Sequence, residues 1–305
     1  MLKSLQSKLF TAPLAVLAAA FLWLTPAAAA ENIPFSQGLL WQLQKDDAPA
    51  SYLLGTMHST DPRLRELPRE IDQALDRSQV AAFEIVTGQG GEADMAQALQ
   101  LPPGRNLEDI IGAELFGRTA AAVADFGVTP EGLQRMKPWA LSFFLARPRI
   151  EVIRQAQGEP AFDFWLQGEA QRRGKALHGL ESYAEQLEIF DGLSEAEQVT
   201  LVADLLNDHE HIVSQFNAMF RAYLKGDTAT LMTFANDYSG VDDAAAAKRL
   251  AERMIDDRNH TMAERMVPLL EQGRAFVAVG ALHLPGEEGI LSLLQQRGYR
   301  VTRLY

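Results

Sequence analysis

Two segments of this 305-residue chain share one pattern: an apolar run that ends in glycine, with histidine three residues further on. The first is Tyr52-Leu53-Leu54-Gly55-Thr56-Met57-His58. The second is Phe276-Val277-Ala278-Val279-Gly280-Ala281-Leu282-His283. Each is followed by a loop, a helical stretch (69–76 and 289–297) and a second strand-like stretch (80–85 and 299–304). Both units therefore read as strand, loop, helix, strand. A crossover of this kind places its strands parallel, with a right-handed connection. In a parallel sheet, ligands bind beyond the carboxyl ends of the strands. His58 and His283 directly follow strands, Glu84 lies near the end of the strand after the first crossover, and Glu181 follows the strand 176–180. Two imidazoles and two carboxylates are thus expected on one edge of one sheet. Gly55 and Gly280 allow a tight turn or a close approach there.

Such a set supports two chemistries. Two histidines with one or two carboxylates suit a divalent metal such as Zn, Mn, Fe or Co. The same groups suit metal-free acid–base work, with a histidine as base near neutral pH. A lone histidine after a strand is more often a turn cap, but two in matched contexts favour function. Arg258, followed by Asn259 on a helix ahead of the second unit, either pairs with a cleft carboxylate, binds an anionic group, or forms a surface ion pair. The other histidines carry less. His178 lies within a strand and is expected to pack. His209 and His211 are two apart on a helix and face different ways. His260 is expected at the surface. The chain has no His-Glu-x-x-His motif, no Gly-x-Ser-x-Gly elbow, no cysteine nucleophile and no phosphate-binding Gly-Lys loop.

Strand-like stretches that would hold these residues cluster towards the two ends, at 38–43, 51–56, 80–86, 175–180, 275–280 and 299–304. Continuous apolar runs such as Val80-Ala81-Ala82-Phe83 suit strands covered on both faces. The middle reads as helix: 93–100, 107–126, 130–136, 139–157, 161–173, 183–190, 195–225, 227–235 and 244–272. Ser194 and Glu197 form a capping-box signature. Leu201, Leu205, His209, Ile212, Phe216, Met219 and Tyr223 fall at helical spacing, as core does. The expected fold is mixed α/β: a central, largely parallel sheet from the two chain ends, with a large helical insertion at about 93–173 and 183–272.

Residues 1–30 read as a cleaved signal peptide. Lys3 and Lys8 precede the apolar stretch 10–24, and Ala28-Ala29-Ala30 offers a small-residue cleavage site before Glu31. A single domain over 31–305, periplasmic or secreted, is the expectation, with no stable membrane insertion after cleavage. The formal charge of −12 becomes −14 once Lys3 and Lys8 are removed. That field repels polyanions, so nucleic acid is not an expected partner. With no cysteine, stability rests on the core or on a bound ligand.

The segments Leu54-Gly55-Thr56-Met57-His58, Phe83-Glu84-Ile85, Lys137-Pro138-Trp139, Gly179-Leu180-Glu181, Arg258-Asn259 and Val279-Gly280-Ala281-Leu282-His283-Leu284-Pro285-Gly286 run in the order found in a known family. By them the chain resembles the TraB/GumN family, which includes the Tiki-type metalloproteases. The resemblance implies a fold related in outline to erythromycin esterases and ChaN-like haem-binding proteins. It implies that His58, Glu84 and His283 are active-site residues, with Arg258 assisting; the expectation built on this is that His58, Glu84 and His283 hold a metal, with Glu181 beside them in the catalytic set. It also implies hydrolysis of peptides with a divalent metal of the Mn or Co type, and the residue set itself adds Zn as an expected ion. Glu84 or Glu181, where not a ligand, is the expected general base, and Arg258 the expected partner of a carboxylate or a developing oxyanion. The alternatives are a metal-free esterase-like hydrolase in which Glu84 sets the His58 tautomer, and a non-catalytic binder of a peptide, small molecule or haem.

Overall fold

The structure is a computed structural model that describes residues 33–88, 92–236 and 244–305. The expected signal peptide, 1–30, lies outside the described residues. Six strands, Leu40–Gln44 (β1), Ser51–Thr56 (β2), Val80–Phe83 (β3), Ala176–Gly179 (β4), Ala275–Gly280 (β5) and Arg300–Arg303 (β6), form one sheet in the order β4-β3-β5-β2-β1-β6. β2, β3, β4 and β5 pair parallel, and β1 pairs antiparallel with β2 and β6. This is the mixed α/β, largely parallel sheet that the sequence predicts. β5 sits between β2 and β3, so the first unit's strands share a direction without touching. β6 likewise runs in the direction of β5 but is separated from it by β2 and β1.

Alternation along the strands explains the layers. Leu53, Ala82, Val277 and Val279 face Met262, Met266 and Leu270 of the helix Asp257–Gln272, and Leu291 and Leu294 of the helix Ile290–Gln296. Leu54, Ala81, Phe276 and Ala278 face the other way, towards Ile71, Leu75, Leu166 and Phe220. Burial on both faces is why β2 and β5 read as continuous apolar runs. A third core around Trp139, Phe144, Phe190 and Leu201 belongs to the helical insertion.

Several predicted helices are shorter in the structure, each for a local reason. The segment 107–126 breaks at Gly112, whose φ of 82° suits only glycine, into Leu107–Ile111 and Ala113–Val123, followed by a 3-10 turn. The segment 139–157 breaks at Pro148, after which Arg149–Ala156 begins. The segment 195–225 divides at Asp208 into Glu195–Asn207 and His209–Leu224. Its start carries the expected Ser194/Glu197 capping box. In the segment 244–272, Arg258 stands in the first turn of the α-helix that follows a π-helical turn, Glu252–Asp256. Such turns commonly mark functional positions. Among the described residues, no helix is long and apolar enough to cross a membrane.

Candidate active site

The carboxyl ends of β2, β3, β4 and β5 share one edge, where the cores of the sheet and of the helical insertion meet. A cavity there is lined by His58, Glu84, His283 and Arg258. β3 ends at Phe83, not at residue 86, so Glu84 stands just past the strand. The ladder nevertheless continues: Leu180 N donates to Phe83 O at 2.8 Å and Glu181 N to Glu84 O at 2.7 Å. This sets Glu84 and Glu181 side by side.

Between them lies Arg258. Its Nη2 donates to Glu84 Oε2 at 2.6 Å and to Glu181 Oε2 at 2.7 Å, and its Nε to Glu181 Oε1 at 3.0 Å. Nη1 reaches Met254 O at 3.2 Å in the π turn. Of the three roles open to Arg258, pairing with cleft carboxylates is the one found. Gln186 Nε2 closes the group from the helix Tyr183–Asp191, donating to Glu181 at 2.9 Å and Glu84 at 3.3 Å. Burial works against every charge here. For Glu84 it is outweighed by the Arg258 charge, with the neighbouring His283 ring and the Gly280 N–H, which holds Glu84 Oε1 at 2.6 Å, adding to it, so the carboxyl is held well below the usual carboxylate range. For Arg258 it is outweighed by the two carboxylates, which raise its pKa.

Both motif glycines serve close packing. A Cβ on Gly55 would come within 2.7 Å of Leu284 Cδ1 and 3.0 Å of Ala281 Cα, so the second unit's turn rests directly on the first unit's strand. A Cβ on Gly280 would meet Glu84 Oε1 at 3.3 Å and the His283 ring at 3.4 Å.

The histidines are oriented by different partners. His283 Nδ1 lies 2.7 Å from Asn259 Oδ1, while Asn259 Nδ2 donates to Glu288 O at 2.9 Å. A carbonyl can only accept, so this bond fixes the amide, and His283 carries its proton on Nδ1. Its bare Nε2 points at Glu84 Oε1, 3.8 Å away. Burial, then the Arg258 charge, push this imidazole down to about 3 against the pull of Glu84, so it is neutral. His58 Nδ1 lies 3.1 Å from Asp163 Oδ2, and its Nε2 is buried with no hydrogen-bond partner. Asp163 is placed by the helix Phe162–Arg172, whose first amide donates to Ser59 O at 2.9 Å, and Phe164 packs edge-on to the imidazole.

His58, Glu84 and His283 share the cavity but are not drawn into one coordination sphere. Among the described residues, no three His, Asp or Glu side chains are gathered closely enough to be a ligand set. The reason is local: Glu84 is already held by Gly280, Arg258 and Gln186, while His58 makes its contacts with Asp163 and Phe164. The chemistry of the donors still fits a divalent cation. Each histidine has Nδ1 anchored to an oxygen and Nε2 left as a lone pair, the arrangement in which metal-binding imidazoles are held, and an ionised carboxylate stands beside one of them.

Four further expectations change. Glu84 is held below the usual carboxylate range and its oxygens are taken by Arg258, Gly280 and Gln186, which ill suits a general base, and both Glu181 oxygens are occupied. Arg258 has most of its donors satisfied, so it orients carboxylates rather than waiting for an oxyanion. The His58 tautomer is set by Asp163, not Glu84. His178 does not pack but is exposed, because β4 is an edge strand. His260 is exposed and pairs with Glu288, as expected of a surface residue. Phe216, Met219 and Tyr223 of the helical stripe also line the cavity. Asp163, Gln186 and Arg147 escape the sequence reading. Asp163 alone left a signal, an acid inside the apolar run Ala161-Phe162-Asp163-Phe164-Trp165.

A family model described as the TraB/PrgY/gumN family matches residues 39–303. Among curated proteins, the chain is 24% identical to metalloprotease TIKI1 of Danio rerio over 90% of its own length and 65% of that protein's. It is 24% identical to metalloprotease TIKI2 of Danio rerio, covering 86% of this chain and 60% of the relative. For metalloprotease TIKI1 of Homo sapiens the identity is 23%, with 86% and 61% covered. The chain thus spans less than two thirds of these relatives' lengths. No solved structure matches the chain, and the likeness in outline to erythromycin esterases and ChaN-like proteins rests on the sequence resemblance alone.

Proposed function

The chain belongs to the TraB/PrgY/gumN family, and from that premise we propose that it is a divalent-metal-dependent hydrolase that cuts peptides. The observation that carries the reading is the pair of imidazoles with Nδ1 anchored and Nε2 bare, at the carboxyl ends of two adjacent parallel strands. The names of the relatives, metalloproteases, agree with it. His283 and Glu84 would hold the ion, with His58 joining from β2. A cation of the Mn, Co or Zn type supplies polarisation of the scissile carbonyl and a more acidic bound water. The protein's own residues do the rest. Asn259 and Asp163 hold the two rings in the tautomer that leaves Nε2 free. Arg258 keeps Glu84 ionised and holds both Glu84 and Glu181 in place, and Gln186 adds a second donor to each. The apolar lining excludes water and receives apolar side chains.

A second reading is favoured by one observation. His58 has a carboxylate on Nδ1 and an unpartnered, buried Nε2, an imidazole–carboxylate pair able to take a proton from water with no metal. One experiment separates the two. The purified protein is incubated with mixed peptides after loading with Mn, Co or Zn, and the products are read by mass spectrometry. Cleavage that needs the ion and is lost in His283→Ala supports the first reading. Cleavage that resists chelators but is lost in Asp163→Asn supports the second. No cleavage under any loading sinks both.

Export belongs to the proposal. It rests on residues 1–30 and is tested by the mass of the mature protein, which should begin at Glu31 in an extracytoplasmic fraction.

A further inference from the structure

The cavity of the two histidines contains a cation that the proposed hydrolysis does not use. Arg147 sits in the turn before Pro148, is 5% exposed, and lines the cavity together with His58, Asp163, Glu84 and Arg258. Its Nε donates to Phe143 O at 2.8 Å. That leaves the two Nη groups, the fork that a carboxylate takes with two parallel hydrogen bonds. Among the described residues no acid forms an ion pair with it. Glu151, whose charge bears on it, is spent elsewhere: its oxygens accept from Ser59 Oγ at 2.8 Å, Thr60 N at 2.6 Å and Thr60 Oγ1 at 2.7 Å.

The contrast with Arg258 is direct. Arg258 lies half-buried between two carboxylates and its pKa is raised. Burial, only partly offset by Glu151, pushes the Arg147 guanidinium down to about 10. A buried cation without a matching anion costs stability, and a ligand carboxylate would offset that cost. The surroundings give the remainder of the ligand, because Phe83, Ile85, Phe164, Ile189, Phe216 and Met219 make the neighbouring walls apolar.

We propose that Arg147 is the carboxylate-binding residue of this cavity, and that the ligands it takes are short peptides joining an apolar side chain to a free carboxylate. That these ligands are substrates rests on the hydrolase reading; the binding itself does not. The carboxylate has two sources, the C-terminus of a peptide or an acidic side chain, and three probes separate them. These are acetyl-Leu-Phe-Leu as the free acid, the same peptide as its C-terminal amide, and the amide of acetyl-Leu-Phe-Glu.

Calorimetric titration of the purified protein gives the test. At least one acid is expected to bind about tenfold or more tightly than the neutral amide, the size of a charge-assisted hydrogen-bonded pair. The free acid winning assigns the C-terminal carboxylate, and the glutamyl amide winning assigns the side chain. Arg147→Gln should erase the preference while leaving binding of the neutral amide within about threefold, and Arg147→Lys should keep part of it. The comparison among probes on the unaltered protein needs no variant, so a poorly folding variant does not blunt it. Equal binding of acid and amide, no binding of either acid, or a preference that survives Arg147→Gln overturns the proposal. If the acids bind with the expected preference and no probe is cut under any metal loading, the hydrolase reading suffers and the carboxylate site stands. If acid and amide are cut equally well, the reverse holds.

Discussion

His58 and His283 end the same local motif on adjacent strands, yet the structure completes them differently. The strands are offset by one residue, so Gly280 pairs with Thr56 and not with Gly55. His283 is 4% exposed and takes a neutral amide, Asn259, from the helix that flanks its own unit. Beside it stands the charged group of Glu84, Arg258 and Glu181. His58 instead takes a carboxylate, Asp163, from the helical insertion, about a hundred residues away in sequence. The loop after His58 is pinned by a second acid of the insertion, the buried Glu151. One motif therefore presents Nε2 twice, while the surrounding groups divide the work. The His283 half supplies fixed charge, and the His58 half supplies an imidazole tied to the insertion.

The largest way to break this division is Arg258→Met. It leaves Glu84 and Glu181 buried without their cation and should cost about 3–5 kcal/mol of stability, read by urea denaturation. A cost below about 1 kcal/mol would mean that the charged group is not the anchor of the His283 half. Glu151→Gln loosens the His58 loop by weakening bonds from Ser59 and Thr60, with an expected loss of about 1–3 kcal/mol. Here hydrogen exchange of residues 59–61 is the sharper readout, since the His283 half should stay protected. Asp163→Asn and Asn259→Leu remove the two orienting partners. Each should weaken divalent-metal affinity by about 10–100-fold, measured by competition with a chromogenic chelator. An effect confined to one of the two would mean that only one histidine is a ligand.

The smallest effect lies outside both halves. The Glu185 carboxyl is held at about 2, first by the hydrogen bond from Arg265 and then by the Ser182 N–H. Its folded pKa is below the ordinary 4.5, so its contribution is complete above about 4.5 and is lost as pH falls towards 2. Glu185 and Arg265 are each 43% exposed, so solvent limits the ion pair to about 1 kcal/mol or less. Glu185→Gln should therefore lower stability slightly at pH 7 and leave it unchanged near pH 2. A deficit that persists at low pH would assign the effect to the helix cap instead.

The sheet and its active edge were legible because strand polarity is a local matter. Two Gly-x-x-His runs and two acids after apolar strands suffice to place His58, His283, Glu84 and Glu181 on one edge. The edge strands were legible as strands but not by direction, since antiparallel pairing of β1 with β2 and β6 leaves no mark in so short a segment. The partners of the histidines were harder still. Asp163, Gln186 and Arg147 come from the helical insertion, where only the packing of helices on the sheet decides which polar residue meets the cavity. Spacing carries no trace of that, and only Asp163 stands out, as an acid inside an apolar run. Glu84 and Arg258 were each visible singly, but not that each would saturate the other and so remove both from the roles of base and oxyanion donor.

In the proposed site the two Nε2 atoms serve one ion. The direct measurement is metal content after loading with Co(II) and desalting, with the visible absorption spectrum recorded alongside. The account predicts about one ion per chain, with a spectrum typical of nitrogen and oxygen ligands, lost in His283→Ala and weakened in His58→Ala. An unaltered protein that retains no ion, or an ion whose content and spectrum are indifferent to both substitutions, would contradict it.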